Sequence, residues 1–120
     1  MSDDFRPPTE LFVKAQIRLA AQEGVPVTVI HRGDPTSGTV ILKINLLNGT
    51  ARVLIEAQSE RGRIWTPATT TDPMPDAAAE AYLARQPDMD PDVWIVEIED
   101  KKGRLWFPGR VSDGDAPALF

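Results

Sequence analysis

The segment from residue 39 to residue 47, which reads TVILKINLL, has the strongest strand character in the chain. Successive side chains of a strand point to opposite faces of a sheet, so alternate residues of this segment form two sets. The first set is entirely apolar and defines face A, with Val40, Leu42, Ile44 and Leu46. The second set is mixed and defines face B, with Ile41, Lys43, Asn45 and Leu47. The pattern therefore predicts a central strand with face A in the core.

Turn signals on both sides of this strand predict two antiparallel neighbours. The dipeptide Asn48-Gly49 is typical of a two-residue type I′ hairpin turn, which would place Ile44 opposite Val53. A glycine-rich cluster at residues 33–38 would close a second hairpin onto a strand at residues 25–32. Both registers extend face A as one apolar surface, and a slip of one residue would move apolar side chains into water.

Helical periodicity predicts a first helix that is capped by Thr9, runs to about Glu23 and ends at Gly24. It has two apolar arcs on its surface, and a helix on one sheet needs only one. The second arc consists of Leu11, Phe12, Ala15 and Leu19. This arc must therefore meet another element, the chain ends or a second subunit.

A second helix is predicted after Asp72, with Pro73 in its first turn, and it should run to about Arg85 and stop before Pro87. Further short strands are predicted at residues 63–67, 93–99 and 105–107. The resulting order is α-β-β-β-β-α-β-β. It predicts an α+β fold, with a mostly antiparallel sheet of five to six strands and two helices covering one face.

Composition is that of a single globular domain. The chain has 120 residues, of which 42% are hydrophobic and 26% are charged. We expect one domain over residues 9–107, with flexible tails at residues 1–8 and 108–120. The chain has no cysteine, a net charge of −5 and no long apolar run. These features predict a soluble cytoplasmic protein without a membrane span, and the negative charge opposes nucleic-acid binding.

One acidic segment has the spacing of a calcium-binding loop. Asp88, Asp90, Asp92 and Glu99 match four ligand positions of such a loop. However, Val93 occupies the position where the sharp turn requires glycine. An acidic surface turn before a strand is the better interpretation, and we assign no metal ligand.

The element order also resembles that of restriction-endonuclease-like nucleases. In those enzymes an aspartate and a Glu-x-Lys pair bind magnesium and orient water, and Asp34 with Glu56 occupies comparable places here. Gln58 replaces the lysine, so the cation that would stabilise developing negative charge is missing. The only histidine is His31. The sequence has no Gly-x-Ser-x-Gly motif that would supply a catalytic serine, so we expect His31 to have a structural role.

Three basic residues fall on face B of adjacent predicted strands: Arg32, Lys43 and Arg52. Together with Asp34 they form a candidate binding site for phosphate, nucleic acid or another small ligand. Single-strand binders also place aromatic side chains on such a face, and these three strands offer none. Cross-strand ion pairs with carboxylates are the simpler interpretation.

Four segments together resemble a family of small bacterial proteins catalogued as domain of unknown function 1491. They are LFVKAQIRLAAQEGVP, VTVIHRGDPTSGTVILKINLLNGTARV, GRIW and AAAEAYLARQPDMDPDVWIVEIEDKKGR. The most specific pieces are Arg32-Gly33-Asp34 with Gly38, Asp90-Pro91-Asp92 with Trp94, and Glu97-Ile98-Glu99. The resemblance covers residues 11–107 and implies one small cytoplasmic domain, but it carries no assigned activity or catalytic residue.

Our first hypothesis is a non-enzymatic interaction protein that forms a homo-oligomer or binds another protein. Its candidate interface residues are Phe12, Leu19, Trp65 and Trp106. A small-ligand or nucleic-acid binder and a metal-dependent nuclease are the alternatives. The sequence favours a protein without catalytic activity and indicates no cofactor.

Overall fold

Within residues 7–112, which the computed structural model describes, the chain forms two helices and one sheet of seven strands. The helices are α1 (Thr9–Gln22) and α2 (Asp76–Met89). The strands are β1 (Val27–His31), β2 (Val40–Asn45), β3 (Thr50–Ser59), β4 (Gly62–Pro67), β5 (Met74–Pro75), β6 (Trp94–Glu99) and β7 (Arg110–Val111). The predicted α+β class is confirmed.

The sheet is mixed, in contrast to the mostly antiparallel sheet that the sequence predicts. Its order is β1-β6-β2-β3-β4-β7, with β5 on β3. The pairs β2–β6 and β4–β7 are parallel, and the other pairs are antiparallel. The predicted hairpin between β1 and β2 is wrong, because β6 lies between them. An apolar strand such as β6 is stabilised in the middle of a sheet, where both of its faces are covered.

The register between β2 and β3 differs by one residue from the predicted one, since Leu42 lies opposite Leu54. The connecting loop has three residues instead of two, and the Leu46 N–H donates to the Thr50 carbonyl across its base at 3.0 Å. Leu47 in this loop has a φ of 60°. A shift of one residue moves every side chain of a strand to the other face relative to its neighbour.

The two helices therefore cover opposite faces of the sheet, and the prediction that both lie on one face is wrong. A first cluster packs with α1 and includes Val13, Val40, Leu42, Ile44, Leu54, Trp65, Trp94, Val96 and Ile98. A second cluster packs with α2 and includes Ile41, Ala51, Val53, Ala79, Leu83, Val93 and Ile95. The sequence shows more apolar surface than one covered sheet face can bury. Most of this surface is buried because both faces of the sheet are covered.

The helix boundaries differ from the predicted ones at the second helix. It begins at Asp76 rather than after Asp72, because Asp72 pairs with Arg52 and residues 74–75 form β5. It also continues through Pro87, which lies in its last turn. The first helix begins one residue early, with Pro8 at the N-cap position.

The predicted strand at residues 105–107 is not formed, and the last strand of the described region is β7. Part of the predicted C-terminal tail, from residue 108 to residue 112, therefore includes a strand that pairs with β4. The rest of both predicted tails, residues 1–6 and 113–120, lies outside the described residues. No helix between residues 7 and 112 is long and apolar enough to cross a membrane.

Candidate functional site

Two of the most specific sequence pieces meet where the β1–β2 loop (residues 33–38) crosses the start of β6. The Asp34 N–H donates to the Asp92 carbonyl at 3.0 Å. In return the indole Nε1–H of Trp94 donates to the Asp34 carbonyl at 2.7 Å. We call this contact between residues 33–38 and residues 92–94 the clasp. It joins β1, β2 and β6 at one end of the sheet.

Two glycines allow the loop of the clasp to lie directly on the β6 backbone. A Cβ atom at Gly33 would lie 2.1 Å from the Asp92 carbonyl oxygen, and one at Gly38 would lie 2.2 Å from the same atom. Carbon and oxygen cannot approach so closely, so any side chain would displace the loop. The glycines that the sequence presents as turn residues are thus required by a close backbone contact.

His31 belongs to the same end of the sheet. Its Nδ1–H donates to the Val93 carbonyl at 2.8 Å. The imidazole is half-buried and fixes the end of β1 to β6. Among residues 7–112, no group of three side chains from histidine, cysteine, aspartate and glutamate could hold a metal ion.

Asp34 is part of the clasp and Arg32 precedes it, and the side chains of both have partners within the chain. The Asp34 carboxylate accepts hydrogen bonds from the N–H groups of Ser37 at 2.8 Å and Thr36 at 3.0 Å. These bonds hold the pKa of Asp34 below its usual range. Arg32 pairs with Glu10 of α1 and lies over the indole of the clasp at 5.6 Å. The Asp34 side chain therefore stabilises the loop itself, and the Arg32 side chain links the end of β1 to α1.

Lys43 lies in the second layer of the core, beneath α2. Its side chain is only 3% exposed, and its ammonium group is 2.8 Å from Asp76 and 3.4 Å from Glu97, with Glu80 as a third partner. Burial alone would lower the pKa of Lys43, but these three carboxylates raise it above the usual lysine value. Sequence reasoning missed the partners, although Asp76 and Glu80 have the i, i+4 spacing of one helix face.

Arg52 lies apart from Lys43, on the other face of the sheet, because the alternation of β3 places it with Leu54 rather than with Val53. It binds Asp72 through two nitrogens, with Nε–Oδ1 at 3.0 Å and Nη2–Oδ2 at 2.6 Å. The structure thus brings Arg32 and Asp34 together and separates them from the other two predicted binding residues. The binding role of this set stays a prediction.

The predicted nuclease residue Glu56 also has partners in the chain. One carboxylate oxygen accepts the Val40 N–H at 3.1 Å, and the other is 2.7 Å from Arg63 Nε. Glu56 and Gln58 line a hollow of about 300 Å³ together with part of the β1–β2 loop. The Asp34 carboxylate is held by its own loop, as described above, so the geometry presents no prepared pair of acids.

Two of the predicted interface residues are buried within the chain. Phe12 and Trp65 both pack edge-on against Phe107, with ring centroids 5.5 and 5.8 Å away. Leu19 is 52% exposed on α1, and Trp106 is half-buried near the end of the described chain. The core of the chain accounts for the first two aromatic side chains, and Leu19 remains available to a partner.

Trp106 leads to a buried carboxylate that sequence reasoning missed. The Asp100 side chain, which is 3% exposed, accepts from Arg104 Nε at 2.7 Å, from Trp106 Nε1 at 2.9 Å and from the Lys102 N–H at 2.9 Å. These donors hold the pKa of Asp100 well below its usual range. They fold residues 100–106 into a compact turn after β6.

Replacing Asp100 by asparagine should lower the free energy of unfolding by about 2–3 kcal/mol at pH 7, because charge-assisted hydrogen bonds are lost. A depressed pKa stabilises the folded state above the unfolded-state pKa of about 3.9, and this stabilisation is lost as the pH falls through the folded value. Urea titrations from pH 7 to pH 2 should therefore show the difference between the two proteins shrinking below about pH 4. A difference that does not change with pH would contradict this role.

The fold and the clasp define a class of small α+β proteins with one mixed sheet between two helices. The sequence pattern of the family described as "Protein of unknown function (DUF1491)" matches residues 8–108. The chain belongs to this family. No curated protein matches the chain.

Solved structures support the same assignment. The crystal structure of a DUF1491 family protein from Caulobacter crescentus CB15 is 35% identical, with a TM-score of 0.78 over 89% of this chain and 100% of that one. An NMR structure of a DUF1491 family protein from the same organism is 34% identical, with a TM-score of 0.77 over 91% of this chain and 99% of that one. A solution structure from A. tumefaciens is 25% identical, with a TM-score of 0.65 over 79% and 86% of the two chains. The family has no established function, so the function must be inferred from the molecule itself.

Proposed function

We propose that this chain is a non-enzymatic interaction domain of the bacterial cytoplasm that forms a homodimer through the outer face of α1. We define the outer face by Leu11, Ala15 and Leu19, which point away from the sheet. The observation that carries the proposal is the exposure of the two leucines, at 59% and 52%. Large apolar side chains that lie together on a surface are typical of a docking site.

The spacing of the outer face suits a second copy of the same chain. Leu11, Ala15 and Leu19 follow one i, i+4, i+8 ridge, and such ridges interdigitate in the commonest class of helix packing. A two-fold axis through Ala15 would place Leu11 of each chain against Leu19 of the other, with the small alanine at the crossing point. A twofold interface requires a self-complementary surface of this kind.

The proposal that this domain is not an enzyme is supported by the partners of the two candidate catalytic acids. Asp34 accepts hydrogen bonds from its own loop, and Glu56 binds Arg63 and a backbone N–H. A carboxylate that accepts hydrogen bonds from its own fold is less available as a metal ligand or general base. The cytoplasmic assignment is supported by a sequence without cysteine, which fits a reducing compartment.

Light scattering over a concentration series tests the dimer. The unmodified chain should show twice the mass of 13.2 kDa at high concentration, and Leu11→Glu or Leu19→Glu should weaken dimerisation about thirtyfold or more, as expected for a central contact. Met89→Glu is a matched control, since Met89 is 75% exposed on the other helix. A strict monomer, or equal weakening by the control, would contradict the proposal.

A further inference from the structure

A hollow of about 480 Å³ lies at the β4–β7 edge of the sheet, and none of its lining residues belongs to the clasp or to the outer face of α1. Two arginines, Arg61 and Arg110, line it together with Ile64 and Thr66. Its volume is within the range of small-molecule sites in proteins. The hollow therefore combines concave shape with two cationic groups in a chain whose net charge is −5.

The register of the sheet brings these side chains to one face. Trp65 points to the α1 side, where it joins the first core cluster, so its neighbours Ile64 and Thr66 point to the α2 side. The parallel pairing of β4 with β7 places Arg110 directly beside Ile64. Arg61 comes from the turn between β3 and β4 and reaches the same hollow. Strands β4 and β7 and the β3–β4 turn thus all contribute side chains to the hollow.

Helix α2 leaves this part of the sheet accessible. The cluster beneath α2 draws its sheet residues from β2, β3, β5 and β6, whereas the hollow is built on β4 and β7. Arg61, Thr66 and Arg110 are exposed, and Ile64 is half-buried. The apolar side chain of Ile64 therefore forms the base, and charged and hydroxyl-bearing groups form the rim.

We propose that this hollow binds a small molecule that carries a phosphate group on a flat or apolar body. Guanidinium groups are planar forks that match phosphate oxygens, and arginine is over-represented where a protein binds phosphate through two parallel hydrogen bonds. Both arginines also have contacts within the protein. Each guanidinium has five N–H donors, so a contact within the protein leaves donors for a ligand. Ile64 would pack against the uncharged part of the molecule.

One acidic residue, Glu60, also lines the hollow. Its negative charge opposes an anion, but the two arginines leave a local charge of +1 among the lining residues. This arrangement disfavours a highly charged polyanion such as nucleic acid and suits a single phosphate group. Glu60→Gln should therefore tighten phosphate binding, in the opposite direction to loss of an arginine.

Titration of the full-length protein with adenosine monophosphate, inorganic phosphate and adenosine tests the inference, with amide NMR shifts and calorimetry as readouts. We expect adenosine monophosphate to bind more tightly than inorganic phosphate and adenosine not to bind, with shifts at residues 59–66 and 110–112. Arg61→Ala and Arg110→Ala should each weaken binding by about tenfold or more, as for the loss of a charge-assisted hydrogen bond.

Arg85→Ala is the matched control, since Arg85 is exposed on α2 and does not line the hollow. Because Arg110 lies in a strand, Arg61→Ala in the turn provides the test that does not depend on strand pairing. The inference fails if neither phosphate compound binds, if adenosine binds as well as its monophosphate, or if the control weakens binding as much as the hollow variants. A dimer measured by light scattering would be unaffected by these variants, so this test is separate from that of the outer face of α1.

Discussion

Replacing Lys43 by methionine is expected to lower the free energy of unfolding by about 3–5 kcal/mol at pH 7, as for a buried ion pair that loses one partner. The ammonium group is almost completely buried and is the shared partner of Asp76, Glu80 and Glu97. Methionine retains most of the volume, so the loss reports the carboxylates rather than a cavity, above all the largely buried Glu97. Urea unfolding followed by tryptophan fluorescence measures it.

The control for this prediction is Lys101→Met, which removes the same charge from an exposed position. Its effect should stay within about 0.5 kcal/mol, as for ordinary surface substitutions. A loss at Lys43 no larger than at Lys101 would show that the carboxylates are satisfied by water without the lysine. Glu97 is the informative partner, since its side chain is 16% exposed.

The pH dependence of the same variant follows from the raised pKa of Lys43. A raised pKa gives stability that is fully present below the unfolded-state value, about 10.4 for lysine, and is lost as the pH rises through the folded value. The difference between the unmodified protein and Lys43→Met should therefore stay constant between pH 7 and pH 10. It should shrink only in more alkaline solution.

Lys43 also shows why the sequence predicts the strands better than their arrangement. Five consecutive residues of β2 are buried, from Val40 to Ile44, so neither face of the strand is distinguished by exposure to water. In a half-exposed strand, the alternation of apolar and polar residues selects the register, but in a strand that is buried on both faces it does not. A lysine in such a run is typical of a strand face that is exposed to water. In the structure, however, its ammonium group is buried and pairs with carboxylates of α2 and β6.

The order of the strands could not be predicted for a related reason. Local patterns identify β1, β2 and β6 as separate strands, and the turn-like sequence between the first two favours a hairpin. The insertion of β6 depends on contacts between residues about 60 positions apart, such as the Trp94 indole with the Asp34 carbonyl. No local pattern records such a pairing. The family resemblance includes both segments, residues 32–38 and residues 90–94, but it does not indicate that they are in contact.

The candidate surfaces were predicted in part. In the second apolar arc of α1, Leu19 is exposed and its role in an interface stays a prediction. Phe12 packs inward against Phe107, a residue that the sequence places in a separate short strand. The arginines of the β4–β7 hollow were missed, because β7 has only two residues and follows a segment rich in glycine and proline. Their proximity depends on a parallel pairing that periodicity does not reveal.

Substituting alanine for Gly33 is expected to destabilise the fold by about 3 kcal/mol, and Gly38→Ala should do the same, since overpacking against a rigid backbone ranks among the larger single-residue effects. In both cases the new methyl group would overlap the Asp92 carbonyl oxygen, which is itself held by the Asp34 N–H. The loop must then move off β6, and the hydrogen bond from the Trp94 indole to the loop is lost with it.

Thr36→Ala is the matched control, because it changes an exposed side chain of the same loop and adds no atom near β6. Urea unfolding should separate the variants, and the indole N–H resonance of Trp94 should move in both glycine variants and stay in place in the control. Retention of that resonance together with full stability in Gly33→Ala would contradict the close contact. Loss of stability in the glycine variants alone would show that the close contact of the clasp, which two of the specific sequence pieces form together, stabilises the packing of β6 between β1 and β2.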